Sequence, residues 1–208
     1  MTRRTRSSHR WLKEHFSDPY VQQARDQGWR SRAVFKLEEI DRRERLLKPG
    51  CVCLDLGAAP GAWSQYARRR AGPKGRIIAT DLLQMQEVPG VEFVPGDIRE
   101  PEVFGRVLAL APAGQVDLVL SDMAPSFSGV DSIDQPRSME LGELALEMAV
   151  RVLKPGGSAL IKVFQGSGFE ELVRKARGAF GRVKLVKPRA SRARSPEIYL
   201  LAMQFRLV

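Results

Sequence analysis

Strand-like apolar runs alternate with helix-like segments along most of this chain. The runs begin after Gly50, and most are followed by residues whose apolar positions recur at helical spacing. Such alternation favours a parallel sheet, because each right-handed crossover returns the chain to the same edge. The last two runs, 182–188 and 197–205, are joined by too few residues for a crossover helix. We therefore predict an α/β fold with a seven-stranded, mostly parallel sheet, an antiparallel last strand and helices on both faces.

One domain should account for most of the chain. With 208 residues and 43% hydrophobic residues, the chain can fill one well-packed core. Residues 1–28 carry many charges and no sustained apolar period, so we expect a basic, loosely ordered N-terminal arm there. A single domain should then span 29–208, beginning with a helix within 31–47 that Pro49 and Gly50 end.

Positive charge is concentrated at the two ends of the chain. Residues 1–48 contain 13 Lys or Arg against 7 Asp or Glu, and residues 174–208 contain 10 against 1. Residues 49–173 have a net charge of −5. Basic ends around an acidic middle favour a nucleic-acid partner over a role in solubility alone.

The composition also argues against several other classes of protein. No run approaches the roughly 18 apolar residues of a membrane span, so no membrane partner is expected. The N-terminus lacks the apolar region of a secretory signal, and Cys51 and Cys53 fit reduced core thiols, so we expect a cytoplasmic protein. His9 and His15 lie in the polar arm, away from the cysteines, and no metal site is predicted.

The most specific local motif is LDLGAAPGAW, residues 54–63. Gly57 and Gly61 permit a sharp turn and a close approach to a ligand between the first strand and its helix. The NAD fingerprint is not met, because Ala59 stands where a second glycine is needed. Asp55 would repel a pyrophosphate and attract a cation, which favours S-adenosylmethionine, a sulfonium. The alternative is an ordinary strand-to-helix turn.

Acidic residues at later strand ends outline a nucleoside pocket. Asp81 ends the second strand about 20 residues after the glycine turn, where a carboxylate can accept hydrogen bonds from ribose hydroxyls. Asp97 ends the third strand and could accept from the adenine amino group, with Ile98 against the ring. Aspartate also ends strands for reasons of turn chemistry, so each position is weak evidence alone.

A lysine lies among apolar residues in the fifth strand-like run, ALIKVFQG. Burying Lys162 without a partner would cost several kcal/mol, although a lysine that reaches solvent is an alternative. Asp122 ends the fourth strand, so both side chains should meet at the carboxyl edge of the sheet. An antiparallel last strand beside the fifth would bring Glu197 nearby. Lys36, on the first predicted helix, taken alone fits a surface lysine.

These stretches together resemble the FtsJ family of ribose 2′-O-methyltransferases. The similarity runs from SRAVFKLEEID through LDLGAAPGAWSQ, SDMAPSFSG and LIKVFQG to SRARSPEIYL. It implies a Rossmann-like, S-adenosylmethionine-dependent methyltransferase fold. It also implies a catalytic tetrad of Lys36, Asp122, Lys162 and Glu197. The cofactor contacts that it implies are Gly61, Trp63, Asp81, Asp97 and Asp122.

The resemblance further implies a substrate. The expected reaction methylates the ribose 2′-hydroxyl of a nucleotide, a uridine, in 23S ribosomal RNA of the large subunit, and the enzyme is expected to be a monomer. With a sulfonium bound, two lysines and two carboxylates leave one net positive charge, which loss of one proton would cancel. Our hypothesis makes Lys162 the base, because a strand position is more desolvated than the helical position of Lys36.

Three other functions stay open at this point. The same tetrad would serve methylation of an mRNA cap or a tRNA. A non-catalytic RNA-binding assembly factor could use the same scaffold, although it would not need the tetrad. Base N-methylation is disfavoured because DMAP, residues 122–125, lacks the aromatic residue that usually accompanies that chemistry.

Overall fold

The computed structural model of the protein describes residues 18–192 and 195–206, and only the backbone of Asp131. The helices are α1 Pro19–Asp26, α2 Val34–Glu44, α3 Ala62–Ala71, α4 Pro101–Leu110, α5 Asp131–Val152 and α6 Phe169–Ala179, with a short 3₁₀ turn at Pro112–Gly114. The strands are β1 Val52–Leu56, β2 Arg76–Asp81, β3 Val91–Pro95, β4 Val116–Ser121, β5 Leu153–Phe164, β6 Phe180–Val186 and β7 Glu197–Phe205.

The seven strands form one sheet in the order β3-β2-β1-β4-β5-β7-β6. Strands β1 to β5 pair in parallel, whereas β7 pairs antiparallel with both β5 and β6. The predicted mostly parallel sheet with an antiparallel last strand is therefore confirmed. The strand order reverses direction between β1 and β4, and ligands bind beyond the carboxyl ends of the strands at such a point.

Apolar side chains fill both faces of the sheet. One core contains Leu54 and Leu56 of β1 with residues of α4, α5 and α6, and the other contains Cys53 with residues of α2 and α3. Alternate residues of a strand point to opposite faces, so β1 contributes to both cores. Helices therefore cover both faces, as predicted, and the polar groups of the site are left at the sheet edge. Cys51 and Cys53 are buried free thiols.

The described part of the N-terminal arm differs from the expected loose order. Asp18 begins α1, and its Oδ1 accepts a hydrogen bond from the backbone N of Tyr20 at 3.0 Å. The ring of Tyr20 lies 5.5 Å from the ring of Phe35 on α2, between centroids. A capped first turn with a proline at N1 favours the helix, and aromatic packing docks it. The part of the predicted arm at 1–17 lies outside the described residues.

Helix α2 is shorter than the predicted 31–47. It ends where Arg45 adopts a left-handed conformation, with φ at 54°, and the carboxylate of Asp41 then accepts a hydrogen bond from the backbone N of Leu47 at 2.8 Å. This side-chain contact replaces the next helical hydrogen bond. No helix in the described ranges is long and apolar enough to cross a membrane.

Candidate active site

A cavity of about 330 Å³ opens at the carboxyl edge of β1, β2 and β4. Five of the predicted cofactor-contacting residues line it: Gly57, Asp81, Asp97, Ile98 and Asp122. Other lining residues were not predicted from the sequence, including Leu82, Leu83, Arg99 and Met123. Leu82 and Leu83 are largely exposed. The cavity thus combines carboxylates with apolar side chains, which suits a ligand that has both polar and apolar parts.

The glycine turn forms one wall of this cavity. Gly57 has φ at +71°, and a Cβ there would clash with the side chain of Met123. Its backbone N donates to the carbonyl O of Thr80 at 2.9 Å, while the N of Ala59 donates to Oδ2 of Asp81 at 2.9 Å. Glycine is needed here both for its backbone conformation and for space.

Asp81 organises the loop that follows β2 as well. Its Oδ1 accepts from the backbone N of Leu83 at 2.8 Å, so its two oxygens hold two different loops. Each carboxylate oxygen has a second lone pair that can accept from a ligand hydroxyl. The position of Asp81 is therefore compatible with the predicted ribose contact, which stays a prediction.

Asp97 has a partner that the sequence analysis did not consider. The guanidinium of Arg99 donates to both of its oxygens, with Nη2 to Oδ2 at 2.6 Å and Nε to each oxygen at 3.0 Å. These hydrogen bonds hold the pKa of Asp97 below its ordinary value. The predicted contact with an adenine amino group would require Arg99, which is mostly exposed, to move aside.

Asp55 does not line the cavity. Its carboxyl group is buried, and Oδ2 accepts a hydrogen bond from Oγ of Ser64 at 2.6 Å. Burial raises its pKa from 3.8 to about 7; the charges of Asp122 and Asp81 add to the rise, and Ser64 opposes it. The structure therefore does not bring Asp55 to the position from which it was expected to attract a cation.

Gly61 and Trp63 lie at the start of α3. Gly61 has φ at +104° and faces Arg30 and Val88. The indole Nε1 of Trp63 donates to the carbonyl O of Ala33 at 2.8 Å, at the start of α2. Neither residue lines the cavity, and their roles as cofactor contacts stay predictions.

The four predicted catalytic residues meet beside the cavity as two ion pairs. Nζ of Lys162 lies 3.2 Å from Oδ1 of Asp122 and donates to the carbonyl O of the same residue at 2.6 Å. Nζ of Lys36 lies 2.7 Å from Oε1 of Glu197. Both lysines and Glu197 are buried. Neither lysine is therefore a solvated surface residue, which was the alternative interpretation of each.

Strand register explains how Glu197 reaches this site. Phe164, at the end of β5, is paired with Glu197, and Lys162 is paired with Tyr199. Because alternate residues share a face, Glu197 and Tyr199 project from the same side of β7. The antiparallel last strand thus delivers two polar side chains to the pair formed by Lys162 and Asp122.

Tyr199 is a member of the site that sequence reasoning missed. Its hydroxyl donates to Oδ1 of Asp122 at 2.6 Å, and Nζ of Lys36 lies 5.9 Å from its ring centroid. Burial and the charge of Asp122 raise its pKa, so the phenol stays protonated and acts as a donor. The signal that could have found it is its position two residues after Glu197 on one strand.

Opposing effects set the ionisation of Asp122. Burial disfavours its charged form, but the ammonium groups of Lys162 and Lys36 and the hydrogen bond from Tyr199 outweigh it and hold its pKa below the ordinary value. Asp122 is therefore a carboxylate at neutral pH, and it can hold two donors at once.

Arg30 connects the chain before α2 to the loops around the cavity. Its guanidinium donates to three backbone carbonyls, those of Pro60 at 3.0 Å, Gln86 at 2.5 Å and Glu87 at 2.5 Å. Its backbone N donates to Oε1 of Gln65 at 2.9 Å. One side chain thus joins the glycine turn, the loop after β2 and the segment that leads to Lys36.

The described residues contain no cluster of three or more His, Cys, Asp or Glu side chains that could hold a metal ion. The candidate active site as a whole consists of a cavity and two kinds of groups. Carboxylates and apolar side chains surround its interior, and two lysine–carboxylate pairs with a tyrosine lie at its border.

Known proteins are similar to this chain over nearly all of its length. The profile of the FtsJ-like methyltransferase family matches residues 29–205. Two proteins named ribosomal RNA large subunit methyltransferase E are similar over nearly their whole length. The one from Legionella pneumophila (strain Corby) is 54% identical over 204 residues, covering 98% of this chain and 99% of that protein. The one from Xanthomonas oryzae pv. oryzae (strain PXO99A) is 56% identical over 201 residues, covering 97% and 96%.

A solved structure shares the architecture. The crystal structure of a Plasmodium falciparum protein assigned as a ribosomal RNA methyltransferase superposes with a TM-score of 0.76 at 30% identity, over 85% of this chain and 98% of that one. Because the family profile spans most of the chain and both relatives are more than half identical to it, this chain belongs to the FtsJ-like methyltransferase family.

Proposed function

We propose that this protein transfers the methyl group of S-adenosylmethionine to the ribose 2′-hydroxyl of a nucleotide, a uridine, in 23S ribosomal RNA of the large subunit. The observation that carries the proposal is the pair of buried lysine–carboxylate contacts, Lys162 with Asp122 and Lys36 with Glu197, beside the cavity. Family membership and the printed names of the relatives support ribosomal RNA as the substrate. The proposed enzyme is a monomer that acts in the cytoplasm.

The cavity suits the methyl donor. Carboxylates of Asp81 and Asp122 line it and can attract a cation, and the glycine at 57 leaves room for close approach. Leu82 and Leu83 offer apolar surface for a ring. When bound there, the donor would supply an electrophilic methyl carbon and would leave as a neutral thioether.

Charge balance indicates when a lysine can act as a base. Without a ligand, the charges of Lys36 and Lys162 are matched by those of Asp122 and Glu197. A lysine at the reference pKa of about 10.4 is protonated at neutral pH. A bound sulfonium adds one positive charge, which favours loss of one proton from the group of charges.

Lys162 is the better placed of the two lysines to lose that proton. Its Nζ is 3.2 Å from the carboxylate of Asp122, which also accepts from Tyr199, whereas Nζ of Lys36 is 2.7 Å from Glu197. The Asp122 carboxylate is thus shared, while Lys36 is closer to its own partner; the hydrogen bond from Nζ of Lys162 to the carbonyl O of Asp122, at 2.6 Å, acts in the opposite direction. The neutral amine of Lys162 takes the proton of the 2′-hydroxyl as that oxygen bonds to the methyl carbon. Lys36 stays charged and stabilises the developing negative oxygen.

The RNA half of the proposal is supported by the position of the basic loop 187–192. Nη2 of Arg32 donates to the carbonyl O of Ala190 at 2.6 Å, and the backbone N of Arg189 donates to Oε2 of Glu39 at 2.7 Å. The loop therefore lies against α2, the helix that carries Lys36. Phosphate contacts there would make RNA binding weaken steeply with salt.

The reaction is tested by incubating the protein and labelled S-adenosylmethionine with large ribosomal subunits, free ribosomal RNA and tRNA, then mapping the methylated atom. Label on a uridine 2′-oxygen of 23S RNA is expected. Label on a base, or on tRNA alone, would overturn the proposed substrate, and label in none of the three would favour the non-catalytic assembly factor.

The base is tested separately with Lys162→Arg, which keeps the charge but cannot deprotonate. General-base catalysis is worth on the order of 100-fold or more, so a loss of at least that size in kcat is expected. Lys154→Arg is the matched control, because Lys154 pairs with Asp117 at the opposite end of the sheet. Near-normal methylation by Lys162→Arg would remove Lys162 from the role of base.

A further inference from the structure

An exposed aromatic side chain lies beside the catalytic groups. Phe127 is in the loop between β4 and α5, and 59% of its surface is exposed. Its ring centroid is 5.6 Å from that of Phe164, with the ring planes at 71°. This edge-to-face contact supports the ring of Phe127 from one side. Most of the ring stays open to solvent.

Strand geometry places this pair close to the proposed base. Phe164 follows Lys162 by two residues on β5, so the two side chains project from the same face, about 7 Å apart along the strand. Phe164 is also paired across the strands with Glu197. Phe164, which contacts Phe127, therefore lies two residues beyond the proposed base on the same face of β5.

The loop that carries Phe127 is fixed just after it. The carboxylate of Asp134 accepts hydrogen bonds from the backbone N of Ser128 at 2.8 Å, from Oγ of Ser128 at 2.8 Å and from the backbone N of Gly129 at 2.9 Å. Three bonds to one carboxylate anchor this segment to the first turns of α5. Burying a phenylalanine would stabilise the fold, yet the anchored loop holds the ring outward.

The chemistry of a nucleotide connects these observations. The base is attached to C1′, next to the carbon that carries the 2′-hydroxyl, so a hydroxyl at Lys162 brings its own base within a few ångströms. We propose that Phe127, backed by Phe164, stacks on the base of the nucleotide that is methylated. This inference rests on the proposed ribose methylation. Because every base has a π-face, stacking would orient the nucleotide without selecting its identity.

The test combines a protein change with a substrate change. Phe127→Ala and Phe127→Tyr are assayed on an RNA fragment that contains the methylated site, and on the same RNA with an abasic target nucleotide that keeps its 2′-hydroxyl. Aromatic stacking contributes about 1–3 kcal/mol per base, so Phe127→Ala should lower kcat/KM by about 5- to 150-fold on the intact RNA. On the abasic RNA its effect should fall below about twofold, and Phe127→Tyr should stay near wild type.

The controls separate stacking from structure. Val150→Ala changes an exposed apolar residue of α5. This control should leave kcat/KM unchanged on both RNAs. Dissociation constants for the two RNAs, measured by fluorescence anisotropy, give the same comparison if the abasic RNA is methylated slowly. An equal loss on both RNAs for Phe127→Ala overturns the inference, because the residue would then only shape the loop.

Other outcomes are informative in different ways. A third RNA carries the abasic site at the nucleotide next to the target. If the loss of kcat/KM in Phe127→Ala disappears only on this RNA, the ring stacks on the neighbouring base and the assignment to the target base is wrong. If the wild-type protein methylates the 2′-oxygen but Phe127→Ala loses the same activity on the intact and the abasic RNA, this inference is wrong and the proposed function stands. A methyl group found on the base overturns the proposed function, and this inference with it.

Discussion

Asp55 is a buried carboxyl group with a pKa near neutrality, and its replacement by Asn should change how stability depends on pH. Burial raises its pKa from 3.8 to about 7. Because the folded state holds this proton more firmly than the unfolded state, the contribution of Asp55 to stability is greatest at low pH and falls as pH rises from about 4 to 7. The full shift corresponds to about 4 kcal/mol, and the part between pH 5 and pH 8 to about 2 to 3 kcal/mol.

Asp55→Asn keeps an acceptor for the hydroxyl of Ser64 but has no charge to desolvate. We expect urea unfolding to show wild-type stability falling between pH 5 and pH 8 by about 2 to 3 kcal/mol more than that of the variant. Any cost of fitting the amide is independent of pH and does not affect this difference. Asp117→Asn is the control, since Asp117 lies at the opposite end of the sheet beside Lys154. Equal losses of stability in wild type and Asp55→Asn over this range would show that Asp55 does not hold a proton in the folded protein at pH 5.

Three further substitutions test how the site is held together. Tyr199→Phe removes a 2.6 Å hydrogen bond to Asp122; kcat should fall by about 10- to 100-fold with little change in KM, as expected for a bond to a charged group. Arg30→Ala and Arg30→Lys should both raise KM for S-adenosylmethionine, because a lysine cannot reproduce contacts with three carbonyls; full rescue by Lys would contradict this. Gly57→Ala should lower Tm and weaken cofactor binding, measured calorimetrically, because its φ of +71° costs a residue with a Cβ about 1 kcal/mol and that Cβ meets Met123.

Three of the four proposed catalytic residues could be predicted to lie together from strand positions alone, whereas Lys36 was assigned only through the family resemblance. Asp122 follows a strand directly, and Lys162 interrupts an apolar run, so the carboxyl edge of a parallel sheet brings them together. Glu197 required only the pairing of an antiparallel last strand with the fifth. The observed register, with Phe164 opposite Glu197, places Glu197 near the end of the fifth strand.

Contacts made through the backbone left no comparable signal. Arg30 binds carbonyl groups 30, 56 and 57 residues away, and any residue type could supply those carbonyls. Asp55 was misplaced for a different reason. On β1 its side chain points to the face opposite to those of Leu54 and Leu56. Whether that side chain reaches the cavity or a helix depends on the position of α3, where the hydroxyl of Ser64 donates to it. Helix α1 was missed because it has only eight residues, few of them apolar, which is too short a stretch to establish a helical period.

The position of Asp55 changes how the site would select a cation. A carboxyl group with a pKa of about 7 is only partly charged at neutral pH, so it contributes less than a full negative charge. Asp122, whose pKa is lowered, lines the cavity as a carboxylate and also contacts Lys162. In the proposed mechanism one group therefore senses both the bound sulfonium and the base. A positive ligand draws on the charge of Asp122 that otherwise stabilises the ammonium of Lys162, so binding of the donor and release of the proton are coupled through this single carboxylate.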